Sequence, residues 1–479
     1  MLALSLVLVP LAFAAAAAAL PSQRWRPWLL PVCGTAHLTL TLFALRQPEV
    51  AGLSGWIRLD ALGRLVLLLV SVLFFACSLY APGYLALRKE RSNRVFVPCL
   101  LFFLAMTSLI ILAQHLGLMW VALEATTLSS APLIHYNHNA RSIEATWKYL
   151  LIGSVGIALA LLGTFFIAYA AFQAGLGSSL FFTDLVREAP RLSRPWVHSA
   201  FVLLFVGYGT KMGLAPMHTW KPDAYGEAPG IVGTLLAGAL TSCAFLALLR
   251  FFQIVQAAGE AAFARQLMLV IGLLSMAVAG VFMARQRDYK RMLAYSSVEH
   301  MGILVIGIGL GGQGVFGALL HLVNNALTKG VLFLSAGNIH RAYGSKSTAD
   351  VRGALRRLPV SGPLFLAGFF AATGSPPFAP FVSEFTIVRA AMTSGQFAVG
   401  ALFLLLLAVV FIGMGGAVLG VVQGEPPPET GSGPVYRDTF GTVAPILLLM
   451  AFSLLLGVYL PPPFEALVRN AAAFVEGKP

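Results

Sequence analysis

Two titratable residues in the first half of the chain lie inside segments that are otherwise apolar. Glu124 stands within LMWVALEATTL (118–128), and Lys211 precedes Pro216 within GTKMGLAPMHTW (209–220). An ionised carboxylate in such surroundings costs about 2.5 kcal/mol or more without a partner, and we expect Lys211 to be that partner. A lysine whose charge depends on a neighbouring carboxylate can pass a proton on. The two residues predict a proton-transfer site, with a purely structural ion pair as the alternative.

The second half offers a row of polar residues. His321, Asn325 and Lys329 recur at every fourth position of HLVNNALTKG (321–330), which places them on one face of a helix. Glu384 follows a proline-rich segment and is the next carboxylate. We expect the three residues to form a hydrogen-bonded stripe and Glu384 to be the terminal site of the pathway.

The segment between these two groups is more polar. His218 follows Pro216 and is predicted to belong to the pathway, whereas Lys221, Asp223 and Glu227 in the sequence that follows are typical of a solvated mouth.

Three further residues have two interpretations each. Glu299 and His300 are placed near the start of a helix, where they serve either the relay or the helix end. Lys148 beside Trp147 is interpreted as an interfacial side chain, although it could approach Glu124 across a helix hairpin.

The elements that must hold these side chains are membrane helices. The chain has 479 residues, is 58% hydrophobic and 11% charged, and has a mean hydropathy of +0.82, far above soluble proteins. Apolar runs long enough to cross a bilayer recur along it, and residues 1–20 are interpreted as the first of them, not as a signal peptide. We predict an all-α polytopic membrane protein of about fourteen helices, centred near Val9, Leu38, Val70, Leu104, Ala125, Leu159, Leu204, Ala239, Leu274, Ile303, Leu327, Phe370, Leu406 and Leu449.

Two of these helices contain prolines in corresponding places of two halves. Proline removes a backbone donor and clashes with the preceding turn, so we expect breaks near Pro216 and Pro376. Polar backbone exposed by a break is tolerated only beside a hydrated cavity, and matched breaks indicate the ion path of a transporter built from inverted repeats.

Charge and cysteine content exclude other classes. The net charge is +13, but the basic residues lie in short loops and form no continuous face for nucleic acid. No dinucleotide loop or cluster-ligand spacing is present, so we expect no cofactor, metal or redox centre in this chain. The four cysteines are interpreted as inert, namely Cys33, Cys77, Cys99 and Cys243.

The distribution of cations predicts an orientation. If the chain crosses at every run, one side collects most of the basic loop residues, and the positive-inside rule makes that side cytoplasmic. The N- and C-termini then both face the periplasm of a bacterial inner membrane. The cytoplasmic set includes Arg24, Arg26, Arg88, Arg91, Arg94, Arg141, Arg287, Arg291, Arg341 and Lys346.

Four segments together resemble a known family. They are WVALEATTL (120–128), KMGLAPMHTW (211–220), LAYSSVEHMG (293–302) and GSPPFAPFVSEF (374–385). They are similar to the antiporter-like subunits of NADH:quinone oxidoreductase, Mrp antiporters and membrane-bound hydrogenases, and most similar to the F components of hydrogenase-4-type complexes. The resemblance covers nearly the whole chain.

The resemblance implies a core of fourteen helices with two inverted five-helix repeats. We place helices 1–3 in residues 1–95, the repeats in 96–255 and 256–425, and the last helix and tail in 426–479. By this resemblance Glu124 and Lys211 match the pair of the fifth and seventh helices, His321 and Lys329 match the central line, and Glu384 matches the terminal site.

Two departures concern the pathway. Many relatives carry a lysine in the eighth helix where this chain has Thr241-Ser-Cys243, so the link from Lys211 to Lys329 is expected to use water and hydroxyls such as Ser242. The familiar Trp-Leu-Pro-Asp segment has Lys221 in second place, an extra cation at the mouth.

The predicted function is proton translocation within a redox-driven complex. The expected partners are antiporter-like neighbours and the membrane anchor of a quinone or hydrogenase module, and the expected ions are protons, with Na⁺ open. The alternatives are an Mrp-type Na⁺/H⁺ antiporter module and a non-pumping spacer or bicarbonate-uptake subunit.

Overall fold

The computed structural model describes residues 1–88, 90–176, 179–428 and 436–478. The predicted last segment, 426–479, therefore lies partly outside the described residues, at 429–435 and at Pro479.

The described chain is mostly helical. A single pair of two-residue strands, β1 (Ala51–Gly52) and β2 (Ile57–Arg58), is antiparallel with Ala51 opposite Arg58. The first half contains α1 (Leu2–Ala19), α2 (Leu29–Arg46), α3 (Ala61–Ala86), α4 (Phe96–Leu112), α5 (Leu116–Ile134), α6 (Ala140–Gln173), α7 (Phe182–Glu188), α8 (Arg194–Met212), α9 (Trp220–Glu227), α10 (Gly230–Leu235) and α11 (Thr241–Ala257).

The second half has the same character. It contains α12 (Ala261–Met283), α13 (Tyr289–Leu310), α14 (Gln313–Tyr343), α15 (Ala354–Arg357), α16 (Ser361–Ala372), α17 (Ala379–Thr393), α18 (Phe397–Val422), α19 (Phe440–Val458) and α20 (Pro462–Val475). A π-helical turn, Leu236–Leu240, joins α10 to α11. Every predicted helix centre lies within one of these helices or within that turn.

Within the described ranges, eleven helices are long and apolar enough to cross a membrane. The other three predicted spans coincide with α4, which has 17 residues, and with α8 and α16, each of which ends at a break. The protein is thus a helical membrane protein, as its composition predicted.

Burial separates central helices from peripheral ones. All residues in the apolar part of α10–α11 are buried, and nearly all of those in α13 and α14 are. In α18 most residues are not buried. A helix that is apolar all round and faces lipid needs no polar side. Glu299, His300, His321 and Lys329 lie on the central helices α13 and α14, whereas Glu384 lies on α17.

The last helix, α20, is an element that the sequence analysis treated as a tail. Its buried residues, Val468, Ala471, Ala472 and Val475, recur with helical spacing on one face. The side-chain amide of Gln253 in α11 donates to the carbonyl oxygen of Phe474 at 2.5 Å. The backbone amide of Gly312 donates to Glu476 at 2.7 Å, so α20 is fixed to two separate parts of the chain.

A buried ion pair joins α3, α4 and α11. The Arg250 guanidinium is fully buried and lies 2.9 Å from Asp60 Oδ2, and it also donates to the carbonyl oxygen of Ile111 at 2.8 Å. The other Asp60 oxygen accepts from the backbone amide of Gly63 at 2.6 Å and caps α3. Asp60 therefore has two separable roles, as a helix cap and as a counter-ion.

Replacing Asp60 by Asn tests the second role. The amide retains a capping oxygen but leaves Arg250 as a buried, unpaired charge, which typically costs about 3–5 kcal/mol. We expect thermal unfolding of the detergent-solubilised protein to show a loss of this size.

The control is Glu49→Gln, which removes the partner of Arg58 at 3.8 Å in an exposed ion pair. Such pairs contribute less than about 1 kcal/mol. Equal losses in the two variants would contradict the role assigned to the buried pair.

Candidate functional site

The Glu124–Lys211 pair predicted from the sequence is present between α5 and α8. Lys211 Nζ lies 3.9 Å from Glu124 Oε2, and the lysine is buried while the carboxylate is 25% exposed. The hydroxyl of Thr127 accepts a hydrogen bond from Lys211 and donates one to Glu124 Oε2 at 3.1 Å. Thr127 thus bridges the pair. The sequence analysis missed it, although its position one turn after Glu124 was visible.

The pocket around Lys211 is completed by α6. Lys211 Nζ lies 5.5 Å from the centroid of the Tyr149 ring, a distance at which the ring face attracts a cation. The Tyr149 hydroxyl lies 2.7 Å from Ser130 Oγ. Gly153 leaves room for the ammonium group, because a Cβ there would lie 3.1 Å from Nζ.

Both predicted breaks are present. The first interrupts α8 after Met212 and the chain resumes as α9 at Trp220, while the second separates α16 from α17 between Ala372 and Ala379. At the first break, one backbone group that has lost its helical partner is hydrogen-bonded to a side chain. The amide of Ala215 donates to Ser275 Oγ at 3.0 Å. Ala215 is buried at this break, whereas Pro216 and Thr219 are exposed on the surface of the chain.

Lys221 does not lie at a solvated mouth, and that prediction was wrong. Its side chain is fully buried, and Nζ donates to Ser297 Oγ in α13 at 3.0 Å. The reason is tertiary, because α9 turns back after the break and packs against α6 and α13. Gly213 provides the space, since a Cβ there would collide with the Lys221 side chain.

The neighbours of Lys221 do form a polar surface cluster. Asp223 lies 2.9 Å from Lys148 Nζ and also pairs with Arg291, and Glu227 lies 2.7 Å from Lys346 Nζ. Asp223 and Glu227 line a cavity of about 530 Å³. Lys148 thus contacts Asp223 and not Glu124.

The polar stripe of α14 faces α13. Lys329 is fully buried, and its Nζ donates to Ser296 Oγ at 2.6 Å. Glu299 is fully buried one turn after Ser296 in the same helix. Glu299 and His300 lie in the middle of α13 and not near its start, so their interpretation as helix-end residues is wrong.

An imidazole pair leads from this stripe to the second break. His300 Nδ1 lies 2.9 Å from His321 Nε2, and His321 Nδ1 lies 2.9 Å from Ser383 Oγ in α17. Glu384 is buried next to Ser383. His300, His321 and Glu384 each offer one ligand atom within 4.8 Å of the others, a spacing that a metal ion could bridge, but the two imidazoles are hydrogen-bonded to each other.

Three predicted residues are less well connected. The Ser242 hydroxyl donates to the carbonyl oxygen of Gly238 in its own helix at 2.5 Å, so it makes no hydrogen bond to either lysine. His218 is buried between aromatic rings, and its Nδ1 has no hydrogen-bond partner among the described residues. The Asn325 side-chain oxygen also has no partner within the described ranges.

The fold and its buried charges define a multi-pass membrane protein with a polar interior. The same fold is found in a chain of the membrane-bound sulfane sulfur reductase, an archaeal respiratory membrane complex. The TM-score is 0.88, the sequences are 22% identical, and the alignment covers 99% of this chain and 97% of that one.

Sequence comparison identifies the family. Residues 113–412 match the family described as NADH:quinone oxidoreductase/Mrp antiporter, transmembrane. The chain is 34% identical over 456 residues to a hydrogenase-4 component F homolog of Methylacidiphilum infernorum, covering 92% of this chain and 93% of the relative. It is 32% identical over 354 residues to subunit N of the NADH-quinone oxidoreductase of Desulforudis audaxviator, covering 71% and 69%. The chain belongs to the NADH:quinone oxidoreductase/Mrp antiporter family, which confirms the resemblance seen in its motifs.

Gly213 should tolerate no side chain. Its φ of +77° is left-handed, which costs an alanine about 1–2 kcal/mol, and the collision with Lys221 adds a further cost of about 1–3 kcal/mol. We expect Gly213→Ala to lower the thermal stability of the purified protein by the sum of these effects.

Gly259→Ala is the matched control, because Gly259 has a φ of +83° and open space around its Cβ position. Gly259→Ala should lower the thermal stability only by the cost of placing alanine in a left-handed backbone conformation. Equal losses at the two positions would exclude steric contact with Lys221 as a cause.

Proposed function

We propose that this chain translocates protons as an antiporter-like subunit of a redox-driven complex in a bacterial inner membrane. The observation that carries the proposal is a series of titratable groups on facing helices, all buried except the partly buried Glu124. A charged side chain that serves no function would only destabilise the protein in the apolar interior of a membrane helix bundle. The series comprises Glu124, Lys211, Lys329, Glu299, His300, His321 and Glu384.

The mechanism we propose is electrostatic. A change of charge at a neighbouring subunit would strengthen or weaken the Glu124–Lys211 pair, and Thr127 would transmit that change through its two hydrogen bonds. Lys211 would then release or take up a proton, which moves towards Lys329 and through the His300–His321 pair to Glu384. Redox energy enters from partner subunits, since we assign no redox centre to this chain.

We propose the complete topology of fourteen spans from the positions of the breaks. In addition to the eleven long helices, α4, α8–α9 and α16–α17 each provide one span. The first inverted repeat is then 96–255 and the second 256–425, preceded by 1–95 and followed by 426–479. The support is that a broken helix is the fourth of five in each repeat.

The proposed orientation places both termini in the periplasm. Arg88 and Arg91 follow α3, and Arg141 and Arg291 lie near the cavity lined by Asp223. These cations fall on one side of the proposed topology, which makes that side cytoplasmic. The proposed partners are other membrane subunits of the complex, because the matched fold occurs in a multi-subunit respiratory assembly.

An Mrp-type Na⁺/H⁺ antiporter module is the second candidate, because the matching family includes Mrp antiporters. A spacer or bicarbonate-uptake subunit is the third. A requirement for sodium would distinguish the second candidate from a proton pump. Loss of pumping when a buried charge is removed would exclude the third candidate.

Lys211→Ala should abolish coupled transport. Removing the amine interrupts the pathway at its first buried base, so we expect the number of protons taken up per electron transferred to fall at least ten-fold in vesicles containing the assembled complex. The electron-transfer rate should be measured in the same vesicles, and all runs repeated without sodium.

Lys290→Ala is the control, because Lys290 is also buried but donates to the carbonyl oxygen of Ala228 at 2.5 Å, outside the series. It should pump normally. Normal pumping in Lys211→Ala would reject the proposed function, and transport that requires sodium would favour the antiporter module.

A further inference from the structure

Two adjacent serines in α13 each hold a lysine from a different helix. Ser296 accepts a hydrogen bond from Lys329 of α14 at 2.6 Å, and Ser297 accepts one from Lys221 of α9 at 3.0 Å. Lys329 belongs to the proposed pathway, whereas Lys221 was assigned to its mouth. The two ammonium groups are thus bound to the hydroxyls of consecutive residues of one helix.

Lys221 has no evident structural purpose. Within the described residues, no carboxylate oxygen lies within 4.0 Å of its Nζ, although the side chain is fully buried. It lies in the first turn of α9, where a cation faces the positive end of the helix dipole. Burial of an unpaired cation destabilises the fold. A role in proton transfer therefore explains the presence of Lys221 better than a role in stability does.

Lys221 also lies next to the helix end that carries Lys211. Its methylene groups occupy the space left by Gly213, two residues after Lys211. The preceding residue, Trp220, donates from its indole to the carbonyl oxygen of Thr210 at 2.9 Å. Its ring centroid lies 5.1 Å from that of Tyr149, the ring that contacts Lys211. The start of α9 is thereby fixed against the Lys211 pocket.

We propose that Lys221 is the intermediate proton carrier between Lys211 and Lys329. This assignment rests on the proposed function and fills its main gap, since Ser242 does not make the link. A proton leaves the Lys211 ammonium and is taken up by the Lys221 amine. It is then taken up by the Lys329 amine, whose partner Ser296 adjoins Ser297 in α13, so one ammonium is formed for each one lost.

The binding of the two lysines to consecutive residues of α13 gives the step a direction. Lys221 and Lys329 bind consecutive residues of α13, Ser297 and Ser296, and His300 lies one turn after Ser296 in the same helix. Two like charges close together in a medium of low permittivity are unfavourable. Arrival of a proton at Lys221 therefore promotes departure of the previous proton from Lys329 towards His300 and His321.

The experiment compares Lys221→Gln with Lys221→Arg in the assembled complex in vesicles. Glutamine removes the amine, while arginine keeps the positive charge but remains protonated and cannot carry a proton. We expect both variants to lower the number of protons translocated per electron at least five-fold. If glutamine prevents assembly, arginine alone decides, because it keeps a positive charge at this position. Lys290→Gln is the control for loss of a buried lysine and should pump normally.

A normal ratio in Lys221→Arg overturns the assignment, because a fixed charge would then suffice. A normal ratio in Lys221→Gln also overturns it. Lys211→Ala is measured in parallel: if it pumps normally, the proposed function itself fails, and if only the Lys221 variants pump normally, the failure is confined to Lys221. Loss of pumping in both Lys221 variants, with Lys290→Gln unaffected, supports the carrier.

Discussion

The arrangement of side chains at the centre of this protein depends on the free-energy cost of removing a positive charge from water. Lys211, Lys221 and Lys329 are all fully buried, and each is held mainly by a hydroxyl, from Thr127, Ser297 and Ser296 respectively. A hydroxyl can accept from an ammonium or donate to a neutral amine, so it satisfies both states of the lysine. A carboxylate in direct contact would favour only the charged state, but Glu124 Oε2 lies 3.9 Å from Lys211 Nζ, beyond hydrogen-bond distance. Hydroxyl partners thus suit a site whose charge must change.

The breaks in the helices serve the same requirement. A continuous α8–α9 helix would carry residue 221 two to three turns beyond Lys211, whereas the break lets the chain return so that Lys221 lies against Gly213. The second break brings Ser383 and Glu384 to the imidazole pair of α13 and α14. The openings are only partly enclosed, because Pro216 at the first break and Pro376 and Pro377 at the second are exposed on the surface of the chain.

Local patterns allowed part of this arrangement to be predicted. Glu124, Lys211 and Lys329 stand out because each is a charge within an apolar run, and the breaks follow from proline. The burial of Lys221 could not be predicted in this way, because it depends on α9 folding back against α13. Ser242 was expected to link the lysines, but its own helix offers the Gly238 carbonyl as a nearer acceptor. The helical spacing of apolar residues in α20 could have been recognised in the sequence. The segment was assigned to the C-terminal tail because it is short.

The attachment of α20 has a mechanical consequence. It holds α11 through Gln253 and the α13–α14 connection through Gly312, and these elements belong to different halves of the chain. The helix therefore acts as a strap across the two halves at one surface. Any rocking of one half against the other would pivot about this strap, and the larger displacement would occur at the opposite ends of the helices, where Asp223 and Glu227 form their ion pairs.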